Sequence, residues 1–85
     1  MWCEMNKSDF YKNIGKNIKK YRLEYSKHTP MTQEILAEYA NVSVSLISKL
    51  ESDKEAIGIS IEVLYRISVI LEKNISCFLE VTDDE

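Results

Sequence analysis

Six side chains between Thr32 and Glu51 have types and spacing that could do chemistry together. They are the amide of Gln33, the hydroxyls of Ser43, Ser45 and Ser48, the ammonium of Lys49 and the methyl groups of Val44. Amide, hydroxyl and ammonium groups donate to anionic oxygens and to the edges of planar heterocycles, and an exposed valine can cover a methyl group. This is the chemistry of recognition rather than of bond-making. The sequence offers no nucleophile–base pair and no phosphate-binding glycine loop, so an enzyme is not expected. Cys3 and Cys77 form no CxxC motif and the lone His28 has no ligand partner nearby in sequence. Structural zinc needs four closely arranged ligands, so neither a metal site nor a cofactor is expected.

The elements that must position these six read as helices. The stretch TQEILAEYANVSVSLISKLE divides into two short helices around Asn41, a residue that tolerates the left-handed backbone of a sharp turn. Thr32 is the expected cap of the first and Ser43 of the second. Ile35, Leu36, Tyr39 and Ala40 are candidate buried positions of the first. Leu46, Ile47 and Leu50 face inward in the second, leaving Val44, Ser45, Ser48 and Lys49 outside. Upstream, Phe10, Ile14, Ile18, Tyr21 and Tyr25 recur at helical spacing and predict a helix from Asp9 to about Ser26, capped by Ser8 or Asp9. Pro30 marks a turn. Downstream, Asp53 to Ile59 reads as a loop, and Ser60 caps a helix carrying Ile61, Leu64, Tyr65, Ile67, Ser68 and Leu71 that ends at Asn74. Ile75–Leu79 fits a short fifth helix. The expected organisation is a flexible segment over 1–8, one all-α five-helix domain over 9–81 with the helix pair at about 32–52, and an acidic tail over 82–85.

The 85 residues make one domain with a modest core. No stretch approaches 18 uninterrupted apolar residues and residues 1–10 carry charges where a leader needs an apolar run, so no membrane partner is expected and the cytoplasm is the expected compartment. The net charge is −3, but its distribution is uneven: residues 1–42 hold seven Lys/Arg and five Asp/Glu, and residues 43–85 hold four and nine. Polyanion binding follows local potential rather than the total.

Several motifs together carry a resemblance. They are Ile14-Gly15 with Ile18 and Arg22; Thr32-Gln33-Glu34-Ile35-Leu36-Ala37; Asn41-Val42-Ser43; Ile47-Ser48-Lys49-Leu50-Glu51; Ser60-Ile61-Glu62-Val63-Leu64; and Asn74-Ile75-Ser76-Cys77-Phe78-Leu79. Over about Ile14 to Leu79 the chain resembles the lambda-repressor/Cro-type (XRE-type) helix-turn-helix family. The resemblance implies a compact lambda-repressor-like DNA-binding domain whose third helix, about 43–52, enters the major groove. It implies that Gln33 holds a backbone phosphate and braces the recognition helix, that Ser43 adds a cap and a phosphate contact, and that Ser48 touches the backbone. Val44, Ser45 and Lys49 fall at base-reading positions, where Val44 would meet a thymine methyl and Lys49 guanine O6/N7. Arg22 and Glu51 fall at the positions of a structural ion pair. The sequence departs from the family pattern at Asn41, where glycine is usual, at Ile59, where proline is common, and at Asp53 and Glu55, which put negative charge where relatives approach phosphate.

The expected function is a sequence-specific DNA-binding transcriptional regulator of the repressor type, acting as a homodimer on an inverted-repeat operator in double-stranded DNA. The alternative is a protein-interaction module on the same scaffold, such as an antitoxin or phage antagonist, with a protein partner. Charge around the third helix separates the two: Asp53, Glu55 and Glu62 would favour the second, and Lys16, Lys19, Lys20 and Lys49 the first.

Overall fold

The computed structural model describes residues 6–52 and 54–81. Four α-helices follow one another, α1 (Lys7–Tyr25), α2 (Gln33–Ala40), α3 (Val44–Glu51) and α4 (Ile61–Ile70), and a 3-10 helix, η1 (Ile75–Leu79), closes the order. No strand occurs among the described residues. Nor is any described helix long and apolar enough to cross a membrane.

Local chemistry sets each boundary. The side chain of Asn6 accepts from Asp9 N–H at 2.8 Å, so α1 opens at Lys7 rather than at Asp9. Thr32, Ser43 and Ser60 each accept from the N–H three residues on, at 3.1, 3.1 and 3.2 Å, and so satisfy a donor that the first turn leaves over. Asn41 has φ 61° and ψ 45°. Its N–H reaches the carbonyl of Glu38 and that of Val42 reaches Ala37, the paired bonds of a Schellman stop. Asn41 thus ends α2 and lets α3 start three residues later, at Val44.

The expected fifth α-helix is corrected to a single 3-10 stretch. Asn74 provides no side-chain cap there, and its carbonyl accepts from Cys77 N–H, the i→i+3 spacing, at 2.9 Å. Five residues without a cap do not recover the cost of nucleating an α-helix. α4 also ends earlier than expected, at Ile70 rather than Asn74, because Glu72 turns left-handed with φ 59°. The Lys73 N–H then bonds Ser68 O and the Glu72 N–H bonds Val69 O. An L-residue in this region costs about 1–2 kcal/mol, part of which glycine gives back through its freer unfolded chain. Glu72→Gly is expected to raise the melting temperature by roughly 2–4 °C, a net gain near 0.5 kcal/mol; an unchanged or lower midpoint in a thermal melt would show that Glu72 makes compensating contacts.

The core joins Ile14, Ile18 and Tyr21 of α1 to Leu36, Ala37 and Ala40 of α2, Ile47 and Leu50 of α3, Leu64, Ile67 and Leu71 around α4, and Phe78 of η1. Phe78 is fully buried, its ring 5.2 Å edge-on from Tyr21. Asn17 Nδ2 donates to the carbonyls of Phe78 and Glu80, both at 2.8 Å, and Asn13 Nδ2 to Glu80 O at 2.7 Å. The C-terminal segment is thereby held on α1. Met31 plugs the α1–α2 connection and is buried. Tyr39, a candidate buried position, is instead exposed, as are Phe10, Ile61 and Tyr65 among the helically spaced residues. The flexible segment expected over 1–8 lies outside the described residues for 1–5, and the acidic tail over 82–85 lies outside them altogether.

The packing has a circular order. α3 packs on α1 and α2, α4 packs on α2 and η1, and η1 packs on α1. The outer side of α3 is thus left uncovered.

Candidate nucleic-acid interface

At 100° per residue, Val44, Ser48, Ser45 and Lys49 fall within an arc of about 140° on α3. All four are exposed, while Ile47 and Leu50 on the other side are buried. Among the exposed residues of α3 the arc holds one positive charge and no carboxylate. Three of its four side chains are short and the fourth, Lys49, is flexible, so the helix is slim enough to enter a groove about 12 Å wide. Val44 stands in the first turn and is 42 % exposed. Ser43, also exposed, spends a lone pair on Leu46 N–H, and its hydroxyl proton remains available to an acceptor.

The C-terminal end of α3 is fixed by a buried cluster. Glu51 receives Arg22 Nε at 2.8 Å on one oxygen, and Arg22 Nη2 at 3.0 Å and Gln33 Nε2 at 2.9 Å on the other. Arg22 Nη1 also donates to Met31 O at 3.0 Å. The two charged side chains are only 10 % and 2 % exposed. Such bidentate geometry fixes orientation as well as distance. One carboxylate therefore ties α3 to the last turn of α1 and to the first residue of α2. Gln33, half-buried, uses one N–H for this and keeps its carbonyl oxygen and a second N–H at the start of α2.

Two features of this frame had no clear signal in the sequence. Gly15 sits so close to α3 that a Cβ built on it would lie 1.7 Å from Leu50 O. Arg66, on α4, donates to Ala40 O at 3.0 Å and to Glu62 at 2.6 Å. It therefore holds the last carbonyl of α2 from the far side of the turn. The Glu62–Arg66 spacing of four was the only available hint.

The charge around α3 can now be placed. Gly15 and Arg22 define the line of α1 that meets α3; of the lysines named above Lys19 lies within about 60° of that line, with Lys12 beside it, whereas Lys16 and Lys20 lie about 100° or more away. Glu62 is bound to Arg66 on α4. Glu55 is exposed in the segment after α3, and Asp53 lies outside the described residues. Away from this face, burial pushes the Tyr21 phenol above its usual value, with Cys77, Glu80 and Glu24 adding to it.

A helix-turn-helix family model matches residues 31–76, more than half of the chain. No curated protein matches it.

Proposed function

The chain belongs to the XRE-type helix-turn-helix family, a family of DNA-binding regulators, and on that premise we propose that it is a sequence-specific transcriptional repressor that reads the major groove with α3. The observation that carries this reading is the exposed Val44–Ser45–Ser48–Lys49 face, free of carboxylate, on a helix clamped at both ends. In this reading Lys49 donates to a guanine edge, Ser45 bonds a base, Val44 covers a thymine methyl, and Ser43, Ser48 and the free N–H of Gln33 take phosphate oxygens. Two copies on an inverted repeat multiply the few base pairs that one helix can read. Binding at a promoter then excludes polymerase without any catalytic step.

The test is selection from a random double-stranded DNA library at two salt concentrations. A Ser45→Ala/Lys49→Ala variant serves as comparison, since both side chains are exposed and outside the Arg22–Glu51–Gln33 cluster. The expected result is enrichment of a short inverted repeat whose binding falls with salt and weakens roughly tenfold to a hundredfold in the variant. A folded protein that enriches nothing at low salt would instead support the protein-interaction reading.

A further inference from the structure

The two ends of α3 are held differently. At the C-terminal end Glu51 takes three N–H donors from α1 and α2, and Ile47 and Leu50 are buried. At the N-terminal end Ser43, Val44 and Ser45 are exposed and Leu46 is half-buried, so no buried side chain holds the first turn. Its direction depends instead on the turn over residues 41–43. The bonds of that turn stay inside the α2–α3 pair: Asn41 N–H to Glu38 O, Val42 N–H to Ala37 O and Leu46 N–H to the Ser43 hydroxyl. Among the described residues one hydrogen bond reaches residues 40–43 from outside the pair, from Arg66 Nη1 of α4 to Ala40 O at 3.0 Å. The half-buried Val42 side chain also packs on the core, but an apolar contact has no direction, whereas a hydrogen bond does.

We propose that Arg66 is a positioning residue for sequence reading: by holding Ala40 O it sets the aim of the first turn of α3, where Val44 and Ser45 project. Ala40 is the last residue of α2, and its carbonyl is one that the helix leaves over. A guanidinium there satisfies the oxygen and sets a positive charge at the negative end of the helix dipole. Glu62, one turn back on α4, holds the other end of the same guanidinium at 2.6 Å. Arg66 therefore reaches Ala40 with its plane already oriented. Neither side chain belongs to the core: Glu62 is exposed and Arg66 half-buried.

The lever is long. At 1.5 Å per residue, Val44 stands about 10 Å from Glu51 along α3. A tilt of about 5° around the Glu51 clamp shifts Val44 by roughly 0.9 Å. That exceeds the spread of about 0.5 Å within which an N–H···O bond keeps its strength. Ser45 is one residue on and loses alignment with a base edge almost as readily, whereas Lys49, beside the clamp, moves least. The guanidinium is already occupied by Glu62 and Ala40 O, so it acts through the turn and not on a phosphate. The role in reading rests on the DNA function of the α3 face; the hold on the turn does not.

The experiment compares the parent chain with Arg66→Met, Arg66→Lys and Glu62→Gln on two readouts. The first needs no DNA: residual dipolar couplings of the backbone N–H groups in a weakly aligning medium. In Arg66→Met the couplings of residues 42–46 are expected to depart from the parent values while those of α1 keep them. Arg66→Lys and Glu62→Gln should show smaller departures at the same residues, and they decide the matter if Arg66→Met does not fold. Parent values throughout 42–46 in the folded variants would overturn the proposal, and a mere loss of stability would not move these couplings. The second readout is binding to the site enriched from the random library and to a scrambled duplex, at two salt concentrations. Arg66→Met is expected to weaken the selected site roughly tenfold, the worth of one good base contact, with the scrambled duplex and the salt dependence unchanged and Arg66→Lys recovering part of the loss. An equal loss on both duplexes, with the salt slope shallower by about one, would make Arg66 a phosphate contact and overturn the proposal. If the parent chain selects no site, the DNA reading fails, and the couplings alone still decide whether Arg66 aims α3.

Discussion

Arg22→Ala lowers the unfolding free energy by about 3–5 kcal/mol, the expected cost of removing one partner of a buried ion pair. The carboxylate of Glu51, 2 % exposed, would lose two of its three N–H donors and keep only Gln33. Since domains of this size have only about 5–15 kcal/mol in hand, a large share of their stability would go. Arg22→Lys should fall between, because an ammonium cannot span both carboxylate oxygens as the guanidinium fork does. Gln33→Ala should cost only about 1 kcal/mol, the usual net value of one hydrogen bond. Replacing Arg22 and Glu51 together by Met and Leu should recover most of the stability, because no orphaned charge remains. Urea denaturation followed by circular dichroism measures all four. A loss below about 1 kcal/mol for Arg22→Ala would mean that the pair behaves as a solvated surface contact.

Gly15→Ala should be nearly as damaging, and with a sign opposite to helix propensity. In an open helix, glycine to alanine gains about 0.5–1 kcal/mol. Here the added carbon would lie 1.7 Å from Leu50 O and 2.9 Å from Leu50 C. Both are backbone atoms, so no side chain can swing aside. α1 and α3 must separate, which also stretches the Arg22–Glu51 pair. The expected loss is about 3 kcal/mol or more, above the common range for overpacking. Gly58→Ala is the control, since its new carbon would meet only the Tyr11 ring, at 3.6 Å, an ordinary contact. If Gly15→Ala melted at or above the parent, the close approach of the two helices would be wrong.

The elements legible in the sequence are those written in local chemistry. Thr32, Ser43 and Ser60 each bond a donor three residues away, and Asn41 turns on its own backbone preference. Such signals need no knowledge of what packs where. Exposure on α3 was legible for a related reason, since Leu46, Ile47 and Leu50 mark one side and the polar residues the other. α4 has no such contrast: its apolar residues spread around the helix, so spacing alone groups Ile61 and Tyr65 with Leu64, Ile67 and Leu71 and does not separate the two exposed residues from the three buried ones. Asn13 and Asn17 carry no mark in the sequence, yet both are buried, because the backbone of residues 78–80 arrives to accept from them. Contacts across 61 to 67 positions of sequence leave no periodicity to detect. The same holds for Gln33 and Glu51, 18 positions apart, whose contact only the folded geometry reveals.

The tie between α1 and residues 78–80 has a consequence for synthesis. A chain leaving the ribosome presents α1 before the other elements, but Phe78, which closes the core over Tyr21, follows only after α4. At translation rates of roughly 5–20 residues per second the first helix waits several seconds for the ring that covers it. The helix pair at 33–51 emerges during that wait, on a nascent chain whose core is still open. A message broken or stopped short of the Phe78 codon would therefore yield a protein that contains the whole of α3 and cannot hold it in place.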